Sequence, residues 1–202
     1  MDFKGRGDIE EALGRVGQLL AAEGHEYAIV VLGGAALDLL GIVDRDTGDV
    51  DILAFAKPRA GHEPLATTVE EPPYAMPEPL RRAARTISRD LELDENWLNT
   101  APGLQWRTGL PPGLAARIRW RRYAALWVGL VDRYDLVFFK LFAAADSSGS
   151  DSVHYQDLIA LRPSAGELAD AAAWTETQDA SSEFAGILKR VVDNARKDLG
   201  LE

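Results

Sequence analysis

The chain has 202 residues, no cysteine and a formal net charge of -10. Its length points to one domain, or one domain with a small helical appendage, large enough to bury a core without staples. The missing cysteines exclude disulfides and thiolate metal sites. The acidic balance excludes a protein that coats nucleic acid through a general positive field, but leaves room for a local basic patch and suits a site that collects divalent cations. No apolar run approaches the roughly 18 residues of a membrane span. Met1-Asp2-Phe3-Lys4-Gly5 lacks the apolar stretch of a signal peptide, so a cytoplasmic protein without membrane contact is expected.

In chain order, the first expected element is a helix capped by Asp8, with Glu11 completing a capping box. Ile9, Leu13, Val16 and Leu20 form its apolar face, and Gly24 ends it. Tyr27 to Leu32, short and rich in β-branched residues, reads as a buried strand. Gly33-Gly34 breaks it, and Ala35 to Leu40 forms a short helix ended by Gly41. A loop over 43–48 leads into a second strand, Asp49 to Phe55. Residues 57–79, punctuated by six prolines, read as an irregular loop or flap. A helix over Leu80 to Leu93, a loop over Asn99 to Pro112, and strands near Ala116 to Tyr123 and Leu126 to Val131 follow. From Asp135 the pattern is helical, interrupted by Ser147-Ser148-Gly149-Ser150 before His154 to Leu161. Ser164 and Glu167 make a capping box for one further helix. Phe184, Ile187, Leu188, Val191 and Ala195 stripe another. The order implies an α/β (α+β) core followed by helices.

One constellation carries chemistry. In a strand, residues i and i+2 share a face, so Asp49 and Asp51 project together while Val50 and Ile52 point to the core. Paired carboxylates repel unless a cation sits between them, and Mg²⁺ takes such oxygens together with waters and substrate phosphates. Gly33-Gly34, between a buried strand and a helix start, lets backbone amides approach a triphosphate. Asp-x-Asp alone is most often a solvated face and Gly-Gly alone a turn. In this order, each after its own strand, they are much more informative.

The apolar residue, Gly33-Gly34, short helix, and Asp44-Arg45-Asp46-Thr47-Gly48-Asp49-Val50-Asp51 resemble the nucleotidyltransferase superfamily built on the polymerase-β core. Within it they resemble the bacterial nucleotidyltransferase-like group related to the AbiEii and MenT toxins. Asp135-Leu136 through Lys140, and Gln156-Asp157-Leu158, resemble later segments of the same group. The likeness spans about residues 27 to 161. It implies a mixed-sheet core over residues 1–133, with a helical part over 134–202 packed on it. It also implies transfer of a nucleoside monophosphate from a nucleoside triphosphate, with Mg²⁺ or Mn²⁺, to an RNA such as tRNA, a protein or a small molecule. A toxin role with an antitoxin partner belongs to the same family picture. Asp49 and Asp51 would hold metal, and Gly33, Gly34 and Lys140 would hold phosphates. Asp157 would serve as metal ligand, general base or orienter of Lys140. The family usually places a third acid on a later strand. The two strand candidates here carry none, and Asp132 just beyond them reads as a turn residue. That absence defines the alternative: a catalytically silent member that binds nucleotide or protein.

Other features read as structural. Arg117, Arg119 and Arg121 would share a strand face, and Arg81, Arg82, Arg85 and Arg89 a helix face. Either could meet RNA phosphates, but a solvated face balancing an acidic chain is the simpler reading. Trp97 suits packing. The three histidines are scattered without zinc spacing, and there is no P-loop.

Overall fold

The computed structural model describes residues 2–147 and 151–201. Ser148, Gly149 and Ser150 of the expected polar break lie outside the described residues. The chain divides into two compact units, one comprising Met1–Arg107 with Gly113–Val131 and the other Thr108–Pro112 with Asp132–Glu202.

The first unit is built on a five-stranded mixed sheet of order β3-β2-β1-β5-β4, made of β1 (Tyr27–Leu32), β2 (Val50–Ala56), β3 (Leu98–Asn99), β4 (Arg119–Tyr123) and β5 (Leu126–Leu130). β1 is central, antiparallel to β2 and parallel to β5, while β3 joins β2 in parallel and β4 joins β5 antiparallel. The expected α+β class with a mixed sheet is what the chain adopts. The inner strands are buried along nearly their whole length, which is why they read as apolar runs rather than alternating patterns.

Helix α1 (Arg6–Ala22) buries Ile9, Leu13, Val16 and Leu20, and Gly24 follows it at φ +72°. Its start differs from expectation. The N-cap is Gly5, and Asp8 sits inside the first turn, where its carboxylate accepts from the backbone N–H of Lys4 at 2.8 Å. The acid there still favours the helix's positive end, but the Asp8–Glu11 capping box does not form.

Helix α2 (Gly33–Leu39) begins at the two glycines rather than after them. Helix α3 (Glu78–Asp90) starts two residues early because Pro77 and Pro79 suit a first turn, where an amide N–H would lack a partner anyway. The proline-rich stretch before it is not a detached flap. Glu70 exchanges both backbone hydrogen bonds with Phe55 of β2, at 2.8 and 3.0 Å, and a short 3₁₀ turn spans Ala66–Thr68. The segment expected as loop from Asn99 contributes β3 and a 3₁₀ stretch, Ala101–Arg107. The expected strand from Ala116 begins only at Arg119, after the short helix α4 (Leu114–Arg117).

Among its described residues the second unit carries the helices α5 (Arg133–Asp146), α6 (Val153–Ala160), α7 (Ala165–Glu176) and α8 (Ser182–Leu199). Trp174 of α7 stacks its edge or tilted face on Phe138, Phe139 and Phe142 of α5, with ring centroids 5.6–6.3 Å apart. Both halves of the Ser164–Glu167 capping box form. Among the described residues, no helix is long and apolar enough to cross a membrane.

Candidate active site

Asp51 lies in β2 directly opposite Leu32, the last residue of β1. The next residue, Gly33, turns the chain at φ +78°, a conformation that favours glycine. A Cβ added to Gly33 would stand 2.8 Å from Asp51 Oδ2. The glycine therefore lets the turn close onto the carboxylate. Gly34 is equally constrained, since its Cβ would meet Thr47 Oγ1 at 2.8 Å. Gly33, Gly34, Thr47 and Asp51, far apart in sequence, thus converge at one end of the β1–β2 pair.

Asp51 is half-buried and Asp49 exposed. The strand begins at Val50, so Asp49 sits one residue ahead of it, on the incoming loop. Strand periodicity therefore does not by itself fix Asp49, contrary to the expectation that both acids lie in the strand. The loop is fixed at both ends instead. Thr47 exchanges two backbone hydrogen bonds with Phe3, at 2.9 and 3.2 Å, and the Val50 N–H donates to the Trp97 carbonyl. Phe3 and Trp97 meet edge to face, 5.6 Å apart. Trp97 is fully buried and donates its indole N–H to the Ala84 carbonyl at 3.0 Å, a packing role. The N-terminal segment and Trp97 together position Asp49. Phe3 carried no sequence signal beyond being one aromatic residue in a polar stretch.

Asn99 was missed as a site residue because Leu98–Asn99, only two residues long, has no strand pattern to read. It pairs in register with Asp51 and donates from Nδ2 to Asp51 Oδ1 at 3.1 Å, while its own Oδ1 accepts from the Ala101 N–H at 3.0 Å. A neutral amide thus stands beside Asp51 on the neighbouring strand. Asp132 caps α5, its carboxylate accepting from the Tyr134 N–H at 3.0 Å. Among the described residues, no group of three or more histidine and acidic side chains is placed to hold a metal ion.

Next to this turn, on α2, Asp38 is almost fully buried, and its Oδ2 has no hydrogen-bond partner among the described residues. Burial, and then the nearby Asp44 carboxylate, push its pKa above the ordinary range, opposed by the backbone N–H groups of Arg6 and Arg45.

Lys140 and Asp157 belong to the second unit. They face each other across α5 and α6 as a buried ion pair, Nζ to Oδ2 2.8 Å, with side chains 6% and 2% exposed. Of the roles the resemblance gives Asp157, orienting Lys140 is the one this pairing matches.

The arginine groups are largely engaged with carboxylates or carbonyls. Arg121 bridges Glu10 at 3.1 Å and the Leu39 carbonyl at 2.8 Å, and Arg117 lies in α4, off the strand. Arg81 pairs with Glu78, Arg82 with Glu23, and Arg85 with Glu95. Comparison of the chain with protein-family models, curated proteins and solved structures gave no match.

Proposed function

We propose that the chain is a metal-dependent nucleotidyltransferase with a polymerase-β-like core. It would transfer a nucleoside monophosphate from a nucleoside triphosphate to an RNA, protein or small-molecule acceptor. The observation that carries this reading is the closure of the Gly33 turn onto Asp51, with Asp49 on the adjoining loop. Asp51 meets a glycine turn that is separate from it in sequence, and Asp49 lies on the loop that leads into the same strand end. In the proposed reaction the acceptor oxygen bonds to the α-phosphorus as the bond to pyrophosphate breaks; pyrophosphate keeps the electron pair, and the acceptor hydroxyl's proton is released to water.

Two carboxylates, one already accepting from Asn99, are too few for a resident ion. They do fit Mg²⁺ or Mn²⁺ arriving with a triphosphate, because Mg²⁺ commonly takes one or two protein carboxylates and completes its shell with waters and phosphate oxygens. Bound there, the metal would neutralise phosphate charge. Gly33 and Gly34 would admit the phosphates. Lys140 and Asp157 carry over from the resemblance, as phosphate neutraliser and its orienting acid. A toxin role with an antitoxin partner remains part of this proposal.

The neutral Asn99 at the position beside Asp51 favours a second reading, a nucleotide-binding member without transfer chemistry. One series separates the two. Each nucleoside triphosphate with Mg²⁺ is added to the wild type and to Asp51→Asn while melting temperature is followed, and labelled triphosphates are then offered with cell extract. A shift confined to the wild type, with label transferred, supports the enzyme. A shift without transfer supports the silent member. No shift with any triphosphate sinks both.

A further inference from the structure

A groove of about 490 Å³ opens in the first unit between the segment following Glu70 and the 3₁₀ stretch Ala101–Arg107. Both walls hang on β2, the strand that carries Asp51. One is tied by the Glu70–Phe55 backbone pair, the other by Trp106, whose indole N–H donates to the Leu53 carbonyl at 2.8 Å. The walls touch at Gly103, where a Cβ would stand 2.3 Å from Pro72 Cγ, so the groove is a fixed feature of the unit. It is also continuous with the candidate site. Thr100 and Ala101 line it, and Asn99, which donates to Asp51, accepts from the Ala101 N–H.

The lining is mostly apolar, with one acid, Glu71, and one base, Arg107. Tyr74 and Leu104, 106% and 63% exposed, are the two most exposed large apolar side chains among the described residues, and both line this groove. Clustered exposed apolar side chains signal recognition where single ones do not. Pro72 and Pro73 stiffen the wall beside Tyr74. Arg107 and the exposed Glu71 complete the groove, and among the described residues no carboxylate, Glu71 included, pairs with Arg107. An exposed aromatic ring, a flat apolar wall and one uncommitted guanidinium match the three parts of a nucleotide: a base to stack, a ribose, and a phosphate to neutralise. The volume suits one mononucleotide rather than a strand.

We propose that this groove is the base-binding subsite for the nucleoside triphosphate. The base stacks on Tyr74 against Leu104, and Arg107 pairs with a phosphate of the same nucleotide. This rests on the nucleotidyltransferase reading for the identity of the ligand, not for the groove's existence. The test is amide chemical-shift mapping of the full chain with ATP, GTP, CTP and UTP in turn, each with Mg²⁺, followed by titration of Tyr74→Ala and Tyr74→Phe. At least one triphosphate should move Thr100, Ala101 and Leu104 together with Gly33 and Gly34. Tyr74→Ala should weaken that binding by about 5- to 150-fold, the range of one lost base–aromatic stack, while Tyr74→Phe retains it. Because Tyr74 is fully exposed, neither variant threatens folding. Shifts at Gly33 and Gly34 with a silent groove overturn the subsite and leave the nucleotidyltransferase reading standing. Shifts in the groove alone support the subsite and overturn the triphosphate site at Asp51. Silence in both overturns both. Groove shifts produced only by a short oligoribonucleotide, never by a mononucleotide, also overturn the proposal as stated.

Discussion

The two pairs of charged residues singled out by sequence meet opposite fates. Asp49 and Asp51 stand where water and ligands reach them, one exposed and one half-buried against a glycine turn. Lys140 and Asp157 are buried and pair with each other at 2.8 Å. An accessible carboxylate can exchange partners at little cost, so its loss should cost function more than stability. A buried ion is different. Its hydration is already forfeited, so removing one partner strands the other in a medium that cannot solvate it.

The largest expected effect tests the buried side of that contrast. Lys140→Met or Asp157→Asn should lower stability by about 3–5 kcal/mol in urea unfolding, the usual cost of stranding one buried partner. Lys140→Met combined with Asp157→Leu should recover most of the loss, because an apolar pair of similar volume needs no hydration. Asp51→Asn, by contrast, should change stability by less than about 1 kcal/mol. A single substitution at Lys140 that costs no more than Asp51→Asn would erase the distinction.

Next in size is Gly33→Ala, which probes how tightly the accessible site is built. The left-handed φ costs a non-glycine residue about 1–2 kcal/mol, and the new Cβ would press on Asp51 Oδ2. The carboxylate is a terminal group and can swing away, so the stability loss should stay near that figure. Binding of a Mg²⁺–triphosphate should fall with it, since the displaced group is the proposed ligand. Alanine at Gly41, also left-handed but with open space around its Cβ position, should cost similar stability and spare binding.

What was legible in the sequence follows the length over which a pattern repeats. Tyr27–Leu32 was bounded to the residue because six apolar positions end at two glycines, and the Ser164–Glu167 box because both partners are local. Asp51 and Gly33 were placed together because each sits at a strand end with a recognisable break. Asn99 and Phe3 were not legible. Each acts through a two-residue strand or an isolated bridge whose partner lies far along the chain, and no local periodicity encodes that. The burial of Lys140 was illegible for a related reason: its helix is apolar on several sides, and only the position of α6 shows that Asp157 meets it.

Asp38 falls between the two kinds of charge, buried like Asp157 but with one carboxylate oxygen that accepts no hydrogen bond among the described residues. Its raised pKa means the folded chain holds a proton that the unfolded chain has released, over the interval from the ordinary carboxylate value near about 4 up to the folded value. Stability therefore falls as pH rises through that interval and is level above it. Asp38→Asn removes the penalty while keeping an oxygen for the Arg6 and Arg45 N–H groups. It should raise stability at neutral pH and leave it unchanged below the ordinary carboxylate pKa. Unfolding curves at pH 3.5 and 7 check this. An equal effect at both would mean the gain is unrelated to charge.

The smallest effect concerns the neutral neighbour of Asp51. Asn99→Asp would place a third carboxylate in register with Asp51 on the adjacent strand, and it would replace a donated hydrogen bond with like-charge repulsion. Without metal, the variant should lose a few tenths to about 1 kcal/mol, limited because Asp51 is half-open to solvent. The loss should shrink as pH falls below about 4, where the pair no longer has to ionise fully. A divalent cation would turn that repulsion into ligation. Mn²⁺ alone, which two carboxylates hold weakly, should therefore raise the melting temperature of Asn99→Asp more than that of the wild type. The double variant Asp51→Asn/Asn99→Asp should lose the extra shift, because the added acid then has no partner beside it. If Mn²⁺ shifts all three proteins alike, the position beside Asp51 does not face a cation. The accessible pair would then owe its openness to the shape of the turn rather than to a ligand it receives.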